Sequence, residues 1–541
     1  MCSFLIYNYF LTNDDIIKYN YYLKFRGPDN TNKYNYTYNN IIYTFIHNLL
    51  NITGKVTYQP FQKDNIICLY NGEIYNYKEY GDYKSDGECI IDVYKKYKYD
   101  FCKYLNGEFA IILFDFNENI FIISTDIFAT KPLYYNISDN LLGISSYNSG
   151  LNNNKLNQKK TLKLYPNTTL IFDIKKLILI KELRIIDFNL KQTISKFNSW
   201  ENAFINSIKN RAFNCKYPVF VCMSGGYDSG LICAVLNLLK IPYYTYTILG
   251  KENKSIIDKR IEFNKKNSCI ESFIVNINKN NFDKYKIYIK ENTDEFYFSV
   301  SPNRENYIKL IDDDAAIGMG IICDKASSLK HRIYLSGQGA DEIISDYAMK
   351  GKSIYSNSNF SGIFPSDLND IFPINPNDKT CKWYSFYNYT QTSFLGKEEI
   401  ISGLYGIEGR YPYLDKDVVQ EYLNLTVELK NGDYKAPMKY LFEKLNYPYE
   451  EEKIGFNLNL KDHAVYFTEK KQIVSHTTNN SYGNTLLAKY KIGDVIKVNK
   501  EEHNIEFNIV KKTEKDGKVV LYFNNELTND LLENRRNWVI I

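Results

Sequence analysis

No stretch of this 541-residue chain is apolar for long enough to cross a membrane as a helix. Ser3 to Leu11 is apolar and aromatic, but no basic segment precedes it and Asn13-Asp14-Asp15 follows, so a signal peptide is not expected. The ten cysteines are scattered without a single CxxC pair, which argues against a zinc site and against a disulfide framework. A reducing, cytoplasmic setting is the expectation. An excess of one charge is also missing. Against 67 basic residues stand 63 acidic ones, a net charge of +4, so neither nucleic acid nor a membrane surface is an expected partner. There is no internal repeat, and no Walker-type phosphate loop. Lys350-Gly351-Lys352-Ser353 supplies the last half of one, but Asp346 stands where its first glycine is needed. What is present is the composition of a globular protein, 44% hydrophobic and 24% charged. The length allows two or three domains, each with its own core.

The stretch Ser224-Gly225-Gly226-Tyr227-Asp228-Ser229 carries the most chemistry. An apolar run, Val219 to Met223, precedes it and reads as a buried parallel strand. Gly230 to Leu236 follows and reads as the start of a helix. A strand, a Gly-Gly turn and a helix N-terminus direct free N–H groups and the positive dipole end at one point, an anion site. The serines add hydroxyl donors, and Asp228 can hold a cation. An ordinary glycine-rich turn between strand and helix is the competing reading of these residues alone.

Cys2 follows the initiator methionine. Removal of Met1 would leave an α-amine beside the thiol, so one residue could supply both nucleophile and base. Five further motifs follow in order: Arg26-Gly27-Pro28-Asp29, Asn71-Gly72-Glu73-Ile74-Tyr75-Asn76, Ser85-Asp86-Gly87-Glu88, Leu105-Asn106-Gly107-Glu108-Phe109-Ala110, and Asp126 with Lys131-Pro132-Leu133-Tyr134-Tyr135. Short strands between them (Ile66 to Tyr70, Ala110 to Phe114, Phe121 to Ser124) predict a sheet-rich sandwich. Leu170 to Ile185 reads as its closing strands, and Phe188 to Phe197 as a linker. Further on, Trp200 to Ala212 has helical spacing, and strands are expected at Tyr243 to Leu249 and Glu271 to Ile277 around a helix at Ile256 to Lys266. Such alternation predicts a parallel sheet with ligands at the strand C-termini.

Cys2 and these motifs resemble the class II glutamine amidotransferase domain, an N-terminal-nucleophile hydrolase fold, over residues 2–190. Ser224 to Ser229 resembles the SGGxDS pyrophosphate loop of enzymes that adenylate their substrate. Tyr334 to Glu342, Tyr405 to Asp415, Lys435 with Lys439 and Leu441, and Lys453-Ile454-Gly455-Phe456 resemble segments of the asparagine synthetase family, over residues 198–460. The resemblance implies an α+β sandwich followed by an α/β parallel-sheet ATP-pyrophosphatase domain. It implies Cys2 as nucleophile, with Asn71 and Gly72 as oxyanion hole. Glutamine would meet Leu49, Leu50, Asn51, Ile52, Thr53, Asn71, Gly72, Glu73 and Asp86, the last two carboxylates taking its amino group. ATP would meet Met223, Ser224, Gly225, Gly226, Asp228, Ser229, Ile248, Ser336, Gly337 and Lys435, with Mg²⁺ on Asp228 and Asp341. Arg26 is expected to position, and Glu408 with Arg410 to form an internal ion pair. The expected substrates are glutamine, aspartate and ATP, and a homodimer is compatible.

Three positions depart from the family pattern. Leu49 stands where an arginine usually receives the glutamine α-carboxylate, Ala129 where a glycine is usual, and Gln338 where a glutamate is usual at the catalytic position. An amide cannot act as a base near neutral pH. Two other readings therefore stay open: a relative that amidates another carboxylate, and a non-catalytic descendant. Residues 461–541 lie outside the resemblance. Alternation at Lys491 to Val498, Asn504 to Val510 and Lys518 to Phe523, with a turn at Lys515-Asp516-Gly517-Lys518, predicts a small β-rich extension. A cover for the synthetase lobe and an interaction module are both open for it.

Overall fold

The computed structural model describes residues 1–213, 215–250, 252–299, 307–345, 362–378 and 380–450, and the backbone of strands between 495 and 540. The chain forms two compact units, Met1–Leu458 and Asn459–Ile541.

The first unit opens with two six-stranded antiparallel sheets. One runs in the order Leu162–Lys163, Tyr134–Ser138, Leu141–Ser145, Ser3–Tyr7, Ile41–Leu49, Asn30–Tyr38. The other runs Leu179–Arg184, Thr168–Asp173, Ile120–Thr125, Gly107–Asp115, Ile66–Ile74, Phe61–Lys63. Alternate residues of the facing strands, among them Phe4, Ile6, Phe45, Leu69, Ile112, Phe114 and Ile123, bury into one shared core. The other face of the second sheet packs on helix Ile90–Tyr97 through Ile90, Val93 and Tyr94. This makes the expected sandwich.

A five-stranded, all-parallel sheet follows, in the order Cys269–Ile274, Tyr243–Thr247, Val219–Cys222, Ile333–Leu335, Glu408–Arg410. Its middle strands Val219–Cys222 and Ile333–Leu335 carry apolar residues on both faces, as a sheet covered by helices on both sides does. The helices include Asn198–Ala212, Tyr227–Leu238, Lys254–Lys265, Asp314–Ser328 and Thr390–Leu404. Residues 188–197 carry no element beyond a bridge from Ile194 to Leu425, with Thr193 N–H donating to the Asn424 carbonyl at 2.9 Å. One apolar cluster joins the two halves. It runs from Leu50, Ile52 and Phe128 to Val221, Met223, Leu335 and Leu414. No helix among the described residues is long and apolar enough to cross a membrane.

The second unit is described by strands Val495–Lys500, His503–Lys515, Lys518–Phe523 and Val539–Ile540, a four-stranded antiparallel sheet. The predicted strands fall on the first three. Lys453-Ile454-Gly455-Phe456 lies outside the described residues.

Candidate active sites

Cys2 sits at the mouth of the first strand. Register Ser3↔Asn48 carries it alongside Leu49 and Leu50, and its Sγ accepts the Leu50 N–H at 3.4 Å. Leu49, Leu50, Asn51, Ile52, Thr53, Gly72, Glu73 and Asp86, all expected on glutamine, line one cavity with Cys2. Asn71 lies in the same strand as Gly72, and its side-chain Nδ2 and Oδ1 are buried with no hydrogen-bond partner. An orphaned amide of this kind costs about 1–3 kcal/mol, a cost that a substrate acceptor would offset. Gly72 has φ +147°, and a Cβ there would lie 1.9 Å from the Glu108 carbonyl oxygen, so only glycine fits. Burial pushes the Cys2 thiol up to about 11 and the Met1 amine down to about 5.

Two carboxylates of this cavity, Asp86 and Glu73, are shifted by burial. Asp86 rises to about 7, against the opposing Ile74 N–H that donates to it at 3.0 Å. The Tyr70 hydroxyl lies between Asp86 and the Gly72 carbonyl. Glu73 also rises to about 7, with Arg410 opposing the rise. Arg410 pairs with Glu73 at 3.0 Å and with Glu408 at 2.8 Å, and Glu408 itself lines the cavity. The half built on the parallel sheet thus completes the wall of the Cys2 cavity.

The second site gathers at the C-terminal edge of the parallel sheet. Helix Tyr227–Leu238 starts with Gly226 as its cap, immediately after the Ser-Gly-Gly turn. Ser229 Oγ accepts the Ser224 N–H at 3.0 Å, and Ser224 Oγ accepts the Gly226 N–H at 3.1 Å. Arg260 donates to the Ser224 and Gly226 carbonyls, fixing the turn from outside. The Gly225 N–H is taken by Glu252 at 2.7 Å. Met223 is buried beneath the turn and donates its N–H to the Tyr246 carbonyl at 2.8 Å. Register Cys222↔Tyr246, extended by two residues, sets buried Ile248 level with Ser224. Ser336 and Gly337 follow the next strand, where a Cβ on Gly337 would lie 2.7 Å from Asp228 Cβ.

Lys435, buried and in a left-handed conformation at φ +47°, brings Asp228 and Asp341 together. Its ammonium pairs with both carboxylates, at 2.8 Å for Asp341. Burial works to lower the Lys435 pKa, but the two aspartates outweigh it and hold it well above the ordinary lysine range. Two hard carboxylate donors on one side of a phosphate-type turn fit Mg²⁺, which keeps water and phosphate oxygens as its other ligands. Gln338 donates its backbone N–H to Ser336 Oγ at 3.0 Å, while its side-chain Nε2 is buried without a partner.

Several residues escaped the motif reading. Glu398 has a buried, unpartnered Oε2, and burial raises its pKa to about 7, while a hydrogen bond from Ser336 opposes the rise. Glu399 ties the halves together. It pairs with Arg26 at 2.8 Å and with Lys131 at 2.8 Å. Arg26 also donates to the Cys2 carbonyl at 3.1 Å. Alongside, Glu108 pairs with Arg211 at 2.7 Å, and Arg211 with Asp415 at 2.8 Å. No local sequence signal marks these pairs, because their partners lie up to 373 positions apart.

Residues 1–176 match the glutamine amidotransferase domain family, and residues 199–397 match the asparagine synthase family. The putative asparagine synthetase (glutamine-hydrolyzing) 1 of Methanocaldococcus jannaschii is 28% identical over 459 residues, spanning 77% of this chain and 73% of that protein. The asparagine synthetase (glutamine-hydrolyzing) of Gallus gallus is 24% identical over 472 residues, 78% of this chain and 77% of its own. Among solved structures, the allosteric regulatory enzyme of purine biosynthesis aligns at 13% identity over 41% of this chain and 60% of its own, with a TM-score of 0.29. With both domain families matched in order, the chain belongs to the glutamine-hydrolysing asparagine synthetase family.

Proposed function

We propose that this protein makes asparagine from aspartate, using ATP and the amide nitrogen of glutamine. The observation that carries this reading is the pairing, within one compact unit, of a cysteine cavity with an orphaned Asn71 amide and a phosphate-type turn with two aspartates gathered on Lys435.

In the first site, loss of Met1 exposes the Cys2 α-amine, which accepts the thiol proton. The thiolate adds to the glutamine amide carbon, and the Asn71 side chain and Gly72 N–H donate to the tetrahedral oxygen. Ammonia leaves with that proton, and water hydrolyses the thioester to glutamate. Glu73 and Asp86 hold the glutamine amino group. The ammonia moves along the apolar seam between the halves. In the second site, Met223 to Gly226, Ser229, Ile248, Ser336 and Gly337 surround ATP, and Lys435 meets its departing phosphates. Asp228 and Asp341 would hold Mg²⁺, which neutralises pyrophosphate as it leaves. The aspartate carboxylate attacks the α-phosphorus, giving an acyl-adenylate and pyrophosphate, and ammonia then displaces AMP. Gln338 orients groups by hydrogen bonds and does not carry the proton. Domain limits of 2–190, 198–460 and 461–541, a cytoplasmic setting and a homodimer complete the proposal.

ATP–pyrophosphate exchange across a panel of carboxylates tests the acceptor. Exchange that depends on aspartate supports asparagine synthesis. Exchange with some other carboxylate alone replaces the acceptor and keeps the ligase. Exchange with none removes the function.

A further inference from the structure

The cavity at Cys2 has carboxylates for an ammonium group but lacks the cation that usually meets a carboxylate, since position 49 is leucine. Glutamine is a zwitterion, so both of its α-groups need partners. Two substitutes close to Leu49 are already engaged. The Asn51 N–H donates to Asp29 at 2.9 Å, and the Thr53 hydroxyl donates to Glu73 at 2.7 Å. The Leu50 N–H is taken by Cys2 Sγ. Arg410 and Arg26 stand behind the wall with their guanidinium groups committed to Glu73, Glu408 and Glu399.

Among the described residues that line the cavity, one is cationic: Lys55. It has no ion-pair or side-chain hydrogen-bond partner among the described residues. Its backbone is fixed on both sides. The Lys55 N–H donates to the Lys84 carbonyl at 2.9 Å, and the Thr57 hydroxyl donates to the Lys55 carbonyl at 3.0 Å. Gly54, at φ +67°, makes the turn that allows this, since a Cβ there would lie 2.2 Å from the Lys84 carbonyl oxygen. Lys55 is exposed, so it meets the cavity from the solvent side. A glutamine whose amide reaches Cys2 carries its α-carbon three bonds further out, toward that side.

We propose that Lys55 receives the glutamine α-carboxylate, replacing from the following loop the cation absent at Leu49. This rests on the reading of the Cys2 site as a glutaminase. A lysine point charge on a flexible stem, open to water, gives a weaker and less directional contact than a bidentate arginine.

The test is steady-state hydrolysis of glutamine by the full chain, for wild type, Lys55→Met and Lys55→Arg, with ammonium-dependent synthesis as control. Lys55→Met keeps the apolar stem and removes the charge. It should raise the KM for glutamine about tenfold with kcat within twofold, as expected for an exposed charge-assisted contact. Lys55→Arg should restore a KM within about threefold of wild type, and ammonium-dependent synthesis should not change in either variant. An unchanged KM in Lys55→Met, a fall confined to kcat, or failure of arginine to rescue would overturn the assignment. A wild-type protein that hydrolyses no glutamine would instead overturn the glutaminase reading itself, and this inference with it.

Discussion

Burial carries the Asp86 carboxyl from the ordinary aspartate range up to about 7, so near neutrality its charge is in play. A neutral acid attracts the glutamine ammonium poorly. The KM for glutamine should therefore fall as pH rises through about 7, and Asp86→Asn should raise the KM and flatten that dependence. The stability effect has the opposite sense. A folded pKa raised above the unfolded value stabilises fully below about 4 and is lost as pH climbs through 7. A shift of about three units sets an upper limit of roughly 4 kcal/mol at pH 8, so Asp86→Asn should unfold at higher denaturant there while binding glutamine less well. Denaturation at pH 5 and pH 8 reads this directly. Ala129 makes a second residue-scale case. It sits at φ +50°, which explains why glycine is usual at that place. Ala129→Gly should stabilise by up to about 1 kcal/mol, less the greater freedom glycine has when unfolded. The departures at Leu49, Ala129 and Gln338 are legible in the sequence alone. The place of Lys55 on the cavity and the buried oxygen of Glu398 are not, because neither leaves a trace in the motifs.

At the scale of elements, the strand Ile66–Ile74 shows how backbone sets chemistry. Its antiparallel partner Gly107–Asp115 runs so close at Gly72 that no side chain fits. Gly72→Ala should therefore abolish glutamine hydrolysis by moving the N–H proposed to meet the oxyanion. Ammonium-dependent synthesis should survive, and assaying the two nitrogen sources side by side checks both halves of the statement. Elements built on apolar or β-branched residues are legible in the sequence. Val219–Cys222, Tyr243–Thr247, Ile120–Thr125 and Lys254–Lys265 lie within a few residues of where periodicity sets them. The hairpin of Asn30–Tyr38 and Ile41–Leu49 is not. Its first strand is an edge strand with no buried residue, reading Asn-Thr-Asn-Lys-Tyr-Asn-Tyr-Thr-Tyr, with polar residues where a buried strand would carry Val or Ile. The helix start after Gly226 was readable because glycine, serine and an apolar run coincide there.

At the scale of the whole molecule, the halves are joined by buried charge as well as by apolar packing. Glu399 faces Arg26 and Lys131, and all three side chains are at most 1% exposed. Burial works to raise the Glu399 pKa, but Lys131 and Arg26 outweigh it and hold it below the ordinary glutamate range. Glu399→Gln would leave two buried cations short of their counter-charge, a loss of about 3–5 kcal/mol. It should lower the unfolding midpoint and weaken glutamine-dependent synthesis more than ammonium-dependent synthesis, since Arg26 also holds the Cys2 carbonyl. Nothing local in one sequence pairs Arg26 with Glu399, or Glu73 with Arg410, so this seam emerges only from the fold. The central claim is that nitrogen freed at Cys2 reaches an acyl-adenylate made beside Asp228 and Asp341. It is tested most directly by supplying amide-¹⁵N glutamine, aspartate, ATP and Mg²⁺ to wild type and Cys2→Ala, and weighing the products. The account predicts ¹⁵N-asparagine with one AMP and one pyrophosphate per molecule from wild type, and from Cys2→Ala asparagine only when ammonium is added. Formation of ADP, amidation of a different acid, or ¹⁵N transfer that persists in Cys2→Ala would contradict it.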